Sequence, residues 1–404
     1  MNILFVHNNF PGQYLHIARA LARNPEVRMA AIGSGTSQTM DGVKLLKYGL
    51  GQVDVSATHP FARRFDAECH RAEQVLYALS SLATAGFKPD VIMAHPGWGE
   101  TLPLRTIFPT ARILLYCEFF YGAHGRDVGF DEEFPETGAD GHVALHLKNA
   151  ASLLALADCN VGISPTEWQR STFPKEFQHK ITAIHEGIDV DLIKPKSDAV
   201  LRLSSGREFR QTDEVVTFVA RNLEPQRGYH IFMRALPRIL SARPRAEVVI
   251  IGGDGVSYGP APPSGTTWKM LFFNEIINKI DQGRIHFTGR LPYPDYLNAL
   301  QVSSAHVYLT YPFVLSWSLL EALSAGCVVI GSDTAPVREV LNSENGLLVP
   351  FFDVEQMAER VIEVLANPDR FQAMRTHARQ SIIDRYDLRR TCLPKMLALI
   401  KGMG

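Results

Sequence analysis

LSWSLLEALSAGCVVIGSDTAPVREVLNSENGLLVP, residues 315–350, combines a helical pattern with two extended runs. Ser316 or Ser318 can cap a helix, and leucine and alanine then recur at every third or fourth position, as in a helix packed along one side. Val328-Val329-Ile330 predicts a buried strand, and Asn345-Gly346 predicts a turn into a second strand. The stretch therefore predicts a helix, a buried strand, a short helix and another strand.

Glu321 interrupts the apolar side of the predicted helix, beside Leu320 and Leu323. Burying an unpaired carboxylate costs on the order of several kcal/mol, so Glu321 is predicted to have a polar partner or to face a cleft. The alternative is that Glu321 lies on the solvated side of a half-buried helix.

The stretch resembles the signature of the retaining family 4 (group 1) glycosyltransferases. In that family a glutamate opens the pattern EA-x-x-x-G ahead of a VV strand, as Glu321–Gly326 does here. The resemblance implies that Glu321 holds the ribose hydroxyls of a nucleotide-diphosphate-sugar donor, since a carboxylate can accept from both hydroxyls of a diol. Phe313, eight positions earlier, stands where the family usually carries a second glutamate.

The start of the same helix is the second feature that the resemblance concerns. Helix N-termini attract anions, and family members direct free amides there at the donor diphosphate and sugar. The residues concerned here are Leu315, Ser316, Trp317 and Ser318.

Length and composition limit the class of protein. With 404 residues the chain is predicted to form two domains, and 41 Lys plus Arg against 42 Asp plus Glu argue against a nucleic-acid partner. The five cysteines lack C-x-x-C spacing, which predicts reduced thiols and no zinc site. No basic leader and no apolar run of ~20 residues is present, so a soluble, cytoplasmic protein is expected. Peripheral membrane contact stays open, although no strong basic amphipathic helix favours it.

Polar loops follow the predicted strands of the first half. Gly12 follows the strand at residues 3–6 and is consistent either with a tight turn or with a phosphate-facing corner. The resemblance implies that its backbone approaches the donor phosphate. His95 and Trp98 follow the strand at residues 91–94, in a loop that suits an acceptor. His95 can carry a proton there or merely bond to the backbone.

Glu118 follows the strand at residues 111–116, where many family members place a histidine that faces the reacting sugar carbon. A carboxylate there can stabilise positive charge or accept the proton of the acceptor. The alternative is a structural carboxylate bonded to a neighbouring loop. Residues 122–141 predict an acceptor-site flap, and their acidic residues lack the spacing of a calcium loop, so no metal site is predicted.

Arg221 and Arg227 flank a proline-containing loop after the strand at residues 215–220. Both guanidinium groups can point at one diphosphate, although surface arginines are usually solvated. The family carries an arginine and then a lysine on the donor phosphates in this loop. Gly253 resembles its donor-side glycine turn, and Arg290-Leu291 resembles the loop that contacts the nucleotide base. The resemblance implies no cofactor and no metal, because cationic side chains and backbone amides take the place of a metal ion.

Strands alternate with helices throughout, which predicts two doubly wound, Rossmann-like α/β domains. By resemblance they face each other across a cleft, as in the GT-B fold. The predicted limits are 1–190 for an acceptor-side domain, 191–385 for a donor-binding domain and 386–404 for a helix that returns to the first domain. Residues 190–212 are predicted to be the linker.

We therefore expect a retaining, hexosyltransferase-like enzyme, of the kind that serves polysaccharide biosynthesis. The sugar acceptor would be a saccharide, a lipid-linked glycan or a small metabolite, and the nucleotide base, donor sugar, linkage and oligomeric state stay open. The predicted catalytic residues are Arg221, Arg227, Glu321 and Glu118. One alternative is a nucleotide-sugar epimerase of the same fold. The other is a sugar-nucleotide-binding scaffold without catalysis, which Phe313 and Glu118 keep open.

Overall fold

Parallel β-strands form the centre of each half of the chain. The computed structural model describes residues 1–134 and 138–403. The chain divides into one unit formed by Met1–Gly187 with Leu388–Gly404, and a second formed by Ile188–Asp387. The chain therefore passes between units at residues 187–188 and 387–388, where the sequence placed the limits at 190–191 and 385–386.

The first unit contains a sheet with the strand order β3-β2-β1-β4-β5-β6-β7, in which every pair is parallel. Its strands are β1 Asn2–Val6, β2 Arg28–Ser34, β3 Val43–Tyr48, β4 Val91–Ala94, β5 Arg112–Tyr116, β6 Val161–Ser164 and β7 Ile181–Ala183. Ile3 and Phe5 join one apolar cluster, and Leu4 and Val6 join the other. Both faces of the sheet are thus covered, as the continuous apolar runs predicted.

The helices of the first unit follow its strands. They are α1 Leu15–Leu21, α2 Arg63–Thr84, α3 Leu104–Ile107, α4 Ala139–Leu147, α5 Ala150–Asp158, α6 Glu167–Ser171 and α7 Lys175–Gln178. A break at Lys148-Asn149 separates α4 from α5. The Asn149 side chain accepts from the amide of Tyr121 and donates to its carbonyl, and these bonds hold it in the break.

The second unit contains a parallel sheet with the order β12-β11-β10-β13-β14-β15 and a two-stranded antiparallel sheet, β8-β9. The strands are β8 Val200–Arg202, β9 Glu208–Arg210, β10 Val215–Asn222, β11 Glu247–Gly253, β12 Ile285–Gly289, β13 Ala305–Tyr308, β14 Val329–Ser332 and β15 Leu347–Val349. Its helices are α8 Tyr229–Ala242, α9 Trp268–Ile276, α10 Tyr293–Val302, α11 Trp317–Ser324, α12 Ala335–Arg338, α13 Val354–Ala366 and α14 Gln372–Tyr386.

The segment predicted as a linker, residues 190–212, is instead part of the second unit. Val190 and Ile193 pack in one apolar cluster of that unit, and Leu201 and Phe209 pack in another. The prediction was wrong because β8 and β9 have three residues each and bury a single large apolar side chain each, which is too short for a visible strand pattern. The edge strand β3 was also missed, since its lysines interrupt the apolar pattern.

The chain ends in the first unit with α15 Leu393–Lys401, whose Met396 and Ile400 join the cluster that contains Ile3 and Phe5. Its end is tied by Arg112, which donates to the carbonyls of residues 402 and 403. None of the helices in the described ranges is both long enough and apolar enough to cross a membrane.

Candidate functional site

Three neighbouring strands of the second sheet end in a polar cluster. Asn222, at the end of β10, donates to Ser257 Oγ at 2.6 Å and accepts from Arg290 Nη2 at 3.4 Å. Gly253 ends β11 beside them, and a Cβ at Gly253 would lie 2.5 Å from Asn222 Oδ1. Leu291 is half-buried against the apolar cluster of β10 and β11. The structure thus brings together Gly253 and Arg290, and it adds Asn222, which the sequence analysis missed although Asn222 directly follows Arg221.

The arginine loop, residues 221–228, begins with the last two residues of β10, and its two arginines have different environments. Arg221 is exposed, and its guanidinium has no hydrogen-bond or ion-pair partner among the residues that the structure describes. Arg227 is only 6% exposed and donates to Thr310 Oγ1 at 2.8 Å and to the Val314 carbonyl at 2.9 Å. Both acceptors are neutral, so the bonds that hold Arg227 in place do not neutralise its charge. A buried, uncompensated cation of this kind is suited to an anion.

Aromatic rings flank the guanidinium of Arg227. Its central carbon lies 5.1 Å from the ring centroid of Tyr258 and 5.7 Å from that of Phe313. The two rings themselves lie 5.1 Å apart, and Phe313 is buried. Phe313, which stands where the family usually carries a second glutamate, therefore forms an aromatic frame around Arg227 together with Tyr258. This is a favourable cation–π arrangement.

Glu224 explains how Tyr258 reaches Arg227. Its side chain is fully buried, and Oε2 accepts from the amides of residues 257–259 at 3.2 to 3.3 Å. These bonds anchor the first part of the segment 256–267 to the arginine loop. The sequence offered no signal for this contact, because a buried carboxylate that binds amides has no local spacing rule.

Two tyrosines hold the carboxylate of Glu321. Tyr293 Oη donates to Oε1 at 2.8 Å, and Tyr296 Oη donates to Oε2 at 2.6 Å. The predicted polar partners of Glu321 are therefore these tyrosines, whose i, i+3 spacing places them on one face of α10. Burial raises the pKa of Glu321 and outweighs the opposing effect of the two hydrogen bonds. Each carboxylate oxygen retains a lone pair that can accept from a diol.

At the start of α11, more of the backbone amides are already hydrogen-bonded within the protein than was predicted. Ser316 caps the helix, since its Oγ accepts from the amide of Ser318 at 3.3 Å, and its own amide donates to Tyr308 Oη at 2.9 Å. Leu315 is buried and Trp317 is 45% exposed. Two of the amides that were expected to be free for the donor, those of Ser316 and Ser318, are thus already bonded within the protein.

In the first unit, the ends of β1, β4 and β5 bring His7, His95 and Glu118 together. Glu118 Oε2 lies 3.4 Å from His95 Nε2, and Oε1 accepts from Gln13 Nε2 at 3.1 Å. Gln13 Oε1 in turn lies 2.7 Å from His7 Nε2. The sequence analysis proposed His95 and Glu118 separately. It missed His7, which directly follows the first strand, and Gln13, which directly follows Gly12.

The hydrogen bonds set the tautomer of both histidines. His7 Nδ1 accepts from the amide of Asn9 and His95 Nδ1 accepts from the amide of Gly97, so each neutral ring carries its proton on Nε2. The Nε2 proton of His7 therefore points at Gln13, and that of His95 points towards Glu118.

The same contacts set the charges of the network. Burial lowers the pKa of His7 to about 3, so this imidazole is neutral near pH 7. Burial alone would raise the pKa of Glu118, but His95 and the hydrogen bond from Gln13 outweigh it and lower the pKa. Glu118 is thus an ionised carboxylate with a partly exposed side chain, able to stabilise positive charge or to accept a proton.

Trp98 and Gly12 support this network. The ring of Trp98 stacks on His95 at 4.4 Å, and Arg71 donates to the Trp98 carbonyl at 2.9 Å. Gly12 has φ +45°, and a Cβ there would lie 2.7 Å from the ring of His7. A glycine is therefore required at position 12 by the close approach of His7 and by the backbone conformation.

The segment predicted as a flap, residues 122–141, is partly described. Arg126 donates to the carbonyls of Phe120 and Thr172, which ties the first part of the segment to the end of β5 and to α6. Residues 135–137 of the predicted flap lie outside the described part of the chain.

Comparison with known families identifies the chain. The family model for glycosyl transferases group 1 matches residues 203–381, and the model for a glycosyl transferase family 4 group matches residues 25–193. The chain belongs to the family 4, group 1, glycosyltransferases. The first match spans the arginine loop and Glu321, and the second spans His95 and Glu118.

Relatives and solved structures agree with this assignment. This glycosyltransferase is 24% identical over 295 residues to a GDP-mannose-dependent monoacylated α-(1-6)-phosphatidylinositol monomannoside mannosyltransferase of Corynebacterium glutamicum, across 69% of this chain and 68% of the relative. A Mycolicibacterium smegmatis GDP-mannose-dependent α-(1-6)-phosphatidylinositol monomannoside mannosyltransferase is 23% identical, across 72% of each chain.

Among solved structures, a sucrose-phosphate synthase of Thermosynechococcus elongatus matches with a TM-score of 0.73 at 15% identity, over 100% of this chain and 99% of the other. The Anabaena protein HepE, in complex with UDP and glucose, matches with a TM-score of 0.69 at 14% identity, over 100% of both chains. At these identities the likeness shows the fold, which is the GT-B fold with two Rossmann-like domains.

Proposed function

We propose that this glycosyltransferase takes a hexose from a nucleotide-diphosphate donor and transfers it with retention of anomeric configuration. The observation that carries the donor assignment is Arg227, a buried guanidinium whose hydrogen bonds leave its charge uncompensated. Exposed Arg221 lies at the end of β10, where the arginine loop begins. Retention is proposed from family membership.

The donor diphosphate would bind to the two arginines. Negative charge develops on the diphosphate as the bond to the sugar breaks, and a guanidinium already fixed in place stabilises that charge without reorganising. Arg227 is fixed by Thr310 and Val314, whereas Arg221 is open to the ligand. We therefore assign Arg227 to preorganised stabilisation of the leaving group and Arg221 to capture of the donor. The proposal needs no metal, because these cations supply the positive charge.

The ribose of the donor would bind to Glu321. Its carboxylate is held by Tyr293 and Tyr296 and keeps acceptor capacity on both oxygens. Gly253 and Arg290, at neighbouring strand ends, would contact the nucleotide through their backbone groups. The predicted contact of the Ser316 and Ser318 amides with the donor requires exchange of their present bonds.

The acceptor would bind near Glu118, His95 and Trp98. An ionised carboxylate beside an imidazole N–H can accept the proton of an attacking hydroxyl or stabilise an oxocarbenium-like sugar. A partly exposed tryptophan that stacks on His95 offers an apolar ring to one face of a sugar. The relatives named above act on mannosylated phosphatidylinositol, so we favour a saccharide or lipid-linked glycan as acceptor.

The test is donor cleavage by the full chain, with GDP-mannose, UDP-glucose and ADP-glucose supplied separately. Release of nucleoside diphosphate from one donor, even slowly and with water as acceptor, would support a competent enzyme. Proton NMR of the first-formed product with the preferred donor then reports its anomeric configuration, which should equal that of the donor. A product with the inverted configuration would overturn retention. If the protein binds nucleotides but cleaves none of the three donors, with or without an added acceptor, the result would favour a binding protein.

A further inference from the structure

A cavity of about 440 Å³ opens in the second unit, away from the candidate donor residues. Its lining includes Gln211, Ser304 and Gly326, which lie just before the first residues of β10, β13 and β14. The candidate donor residues lie instead at the carboxyl ends of the strands. In a parallel sheet these are opposite edges, and a strand of four residues already separates them by roughly 13 Å. The cavity is therefore distinct from the proposed donor site.

Arg375, on α14, supplies positive charge to this cavity. Its Nη1 donates to the Gly326 carbonyl at 2.9 Å and its Nη2 to the Ser304 carbonyl at 2.8 Å. Both acceptors are neutral, and only two of its five N–H groups are used in these bonds. Burial lowers the pKa of Arg375, as expected for a guanidinium without a neighbouring carboxylate.

Arg379, one turn further along α14, adds a second cation. It donates to the carbonyls of Val190, Ile193 and Ser324 at 2.9 to 3.0 Å, again neutral acceptors. Asp191 partly offsets the charge of Arg379. In the described part of the chain, Asp369 is the carboxylate that lines the cavity, and it is exposed and forms no ion pair with either arginine.

Neutral hydrogen-bonding groups complete the lining. Gln372, Thr376 and Gln380 lie on successive turns of α14 and are exposed. The first turn of this 15-residue helix also lines the cavity, which adds the positive end of its dipole. The volume falls within the range of about 300–1,000 Å³ that small-molecule sites occupy.

We propose that this cavity binds a small anionic molecule through a phosphate or carboxylate group held by Arg375 and Arg379. The ligand would be an effector rather than the donor, since it occupies the opposite edge of the sheet. Arg379 also donates to carbonyls in the segment 190–193, which begins two residues after the chain enters the second unit at Ile188. A ligand that binds the folded state alone stabilises it.

Thr376→Glu tests the proposal without removing either arginine. Residue 376 is exposed, lies next to Arg375 and shares a helix face with Arg379, so a carboxylate there would neutralise part of the cavity charge. Thr376→Gln is the matched control, because it has the same size without the charge. When no ligand is added, Thr376→Gln should unfold at the temperature of the wild type, and Thr376→Glu at the same or a slightly higher temperature, because its carboxylate attracts the two arginines.

The measurement is calorimetric titration of the full chain with inorganic phosphate, pyrophosphate and citrate, which separates phosphate from carboxylate recognition. We expect one class of probe to bind wild type and Thr376→Gln equally, and Thr376→Glu about tenfold or more weakly. Binding at the donor edge would not depend on residue 376. Equal affinity in all three proteins, or no binding by any probe at millimolar concentration, would overturn the proposal and would leave the donor assignment untouched.

Discussion

Tyr296→Phe removes the hydroxyl that donates to Glu321 Oε2 at 2.6 Å and leaves the ring in place. Glu321 resists ionisation because burial raises its pKa, and the two tyrosine bonds oppose that effect. Loss of one bond should therefore raise the pKa further. A hydrogen bond to a charged group contributes about 1.5–3 kcal/mol, and since Glu321 is only partly buried we expect the lower end, about 1.5–2 kcal/mol of unfolding free energy near pH 8.

The pH dependence follows from the same bond. If the ribose binds the ionised carboxylate, donor affinity is present above the pKa of Glu321 and is lost as the pH falls through it. In Tyr296→Phe that loss should begin at a higher pH than in the wild type. Tyr293→Phe should act in the same direction but more weakly, because Tyr293 is 46% exposed.

The assay is nucleoside diphosphate affinity between pH 5 and 9, together with urea unfolding at pH 8. Tyr77→Phe is the matched control, because its hydroxyl also bonds to a glutamate, Glu73, but on an exposed helix face. It should change neither quantity. The reasoning fails if Tyr296→Phe keeps the affinity profile of the wild type, since the hydroxyl would then have no influence on the charge of Glu321.

Two further predictions concern the two units separately. Glu118→Gln keeps the size of the side chain but removes its charge, so turnover should fall by about 10²–10⁴ while the dissociation constant for nucleoside diphosphate stays the same; equal turnover would exclude Glu118 from the chemistry. Glu224→Ala removes the acceptor of the three amides at residues 257–259, so the free energy of unfolding should fall by about 2–3 kcal/mol in urea. Donor affinity should fall with it, because Tyr258 would no longer be held at Arg227, and an unchanged affinity would show that the aromatic frame is dispensable.

Much of the fold could be predicted because its strands are continuous apolar runs. Residues 3–6 and 91–94 are entirely buried, and a run of this kind has few alternatives to a central parallel strand. The strand ends then locate the polar loops, since parallel strands end at one edge. That rule explains why His95 and Glu118, which were predicted separately at the ends of two strands, meet at one edge.

The parts that could not be predicted depend on contacts between distant residues. Glu321 was expected to need a polar partner, but Tyr293 and Tyr296 come from the preceding helix and follow no motif. Glu224 and Tyr258 meet only because a loop folds back over the arginine segment. The β8–β9 hairpin was missed because each strand has only three residues and buries a single side chain, which gives no measurable periodicity.

The most direct test of the donor site is calorimetric titration of UDP, GDP and ADP into the wild type and into Arg221→Ala. Arg221 is exposed and unpaired within the described chain, so the variant should melt at the same temperature as the wild type when no ligand is present. One nucleotide should bind the wild type, and the variant should bind it about tenfold or more weakly, because a charge-assisted contact with the diphosphate is lost. Equal affinity of both proteins for that nucleotide would contradict the assignment of the arginine loop to the donor diphosphate.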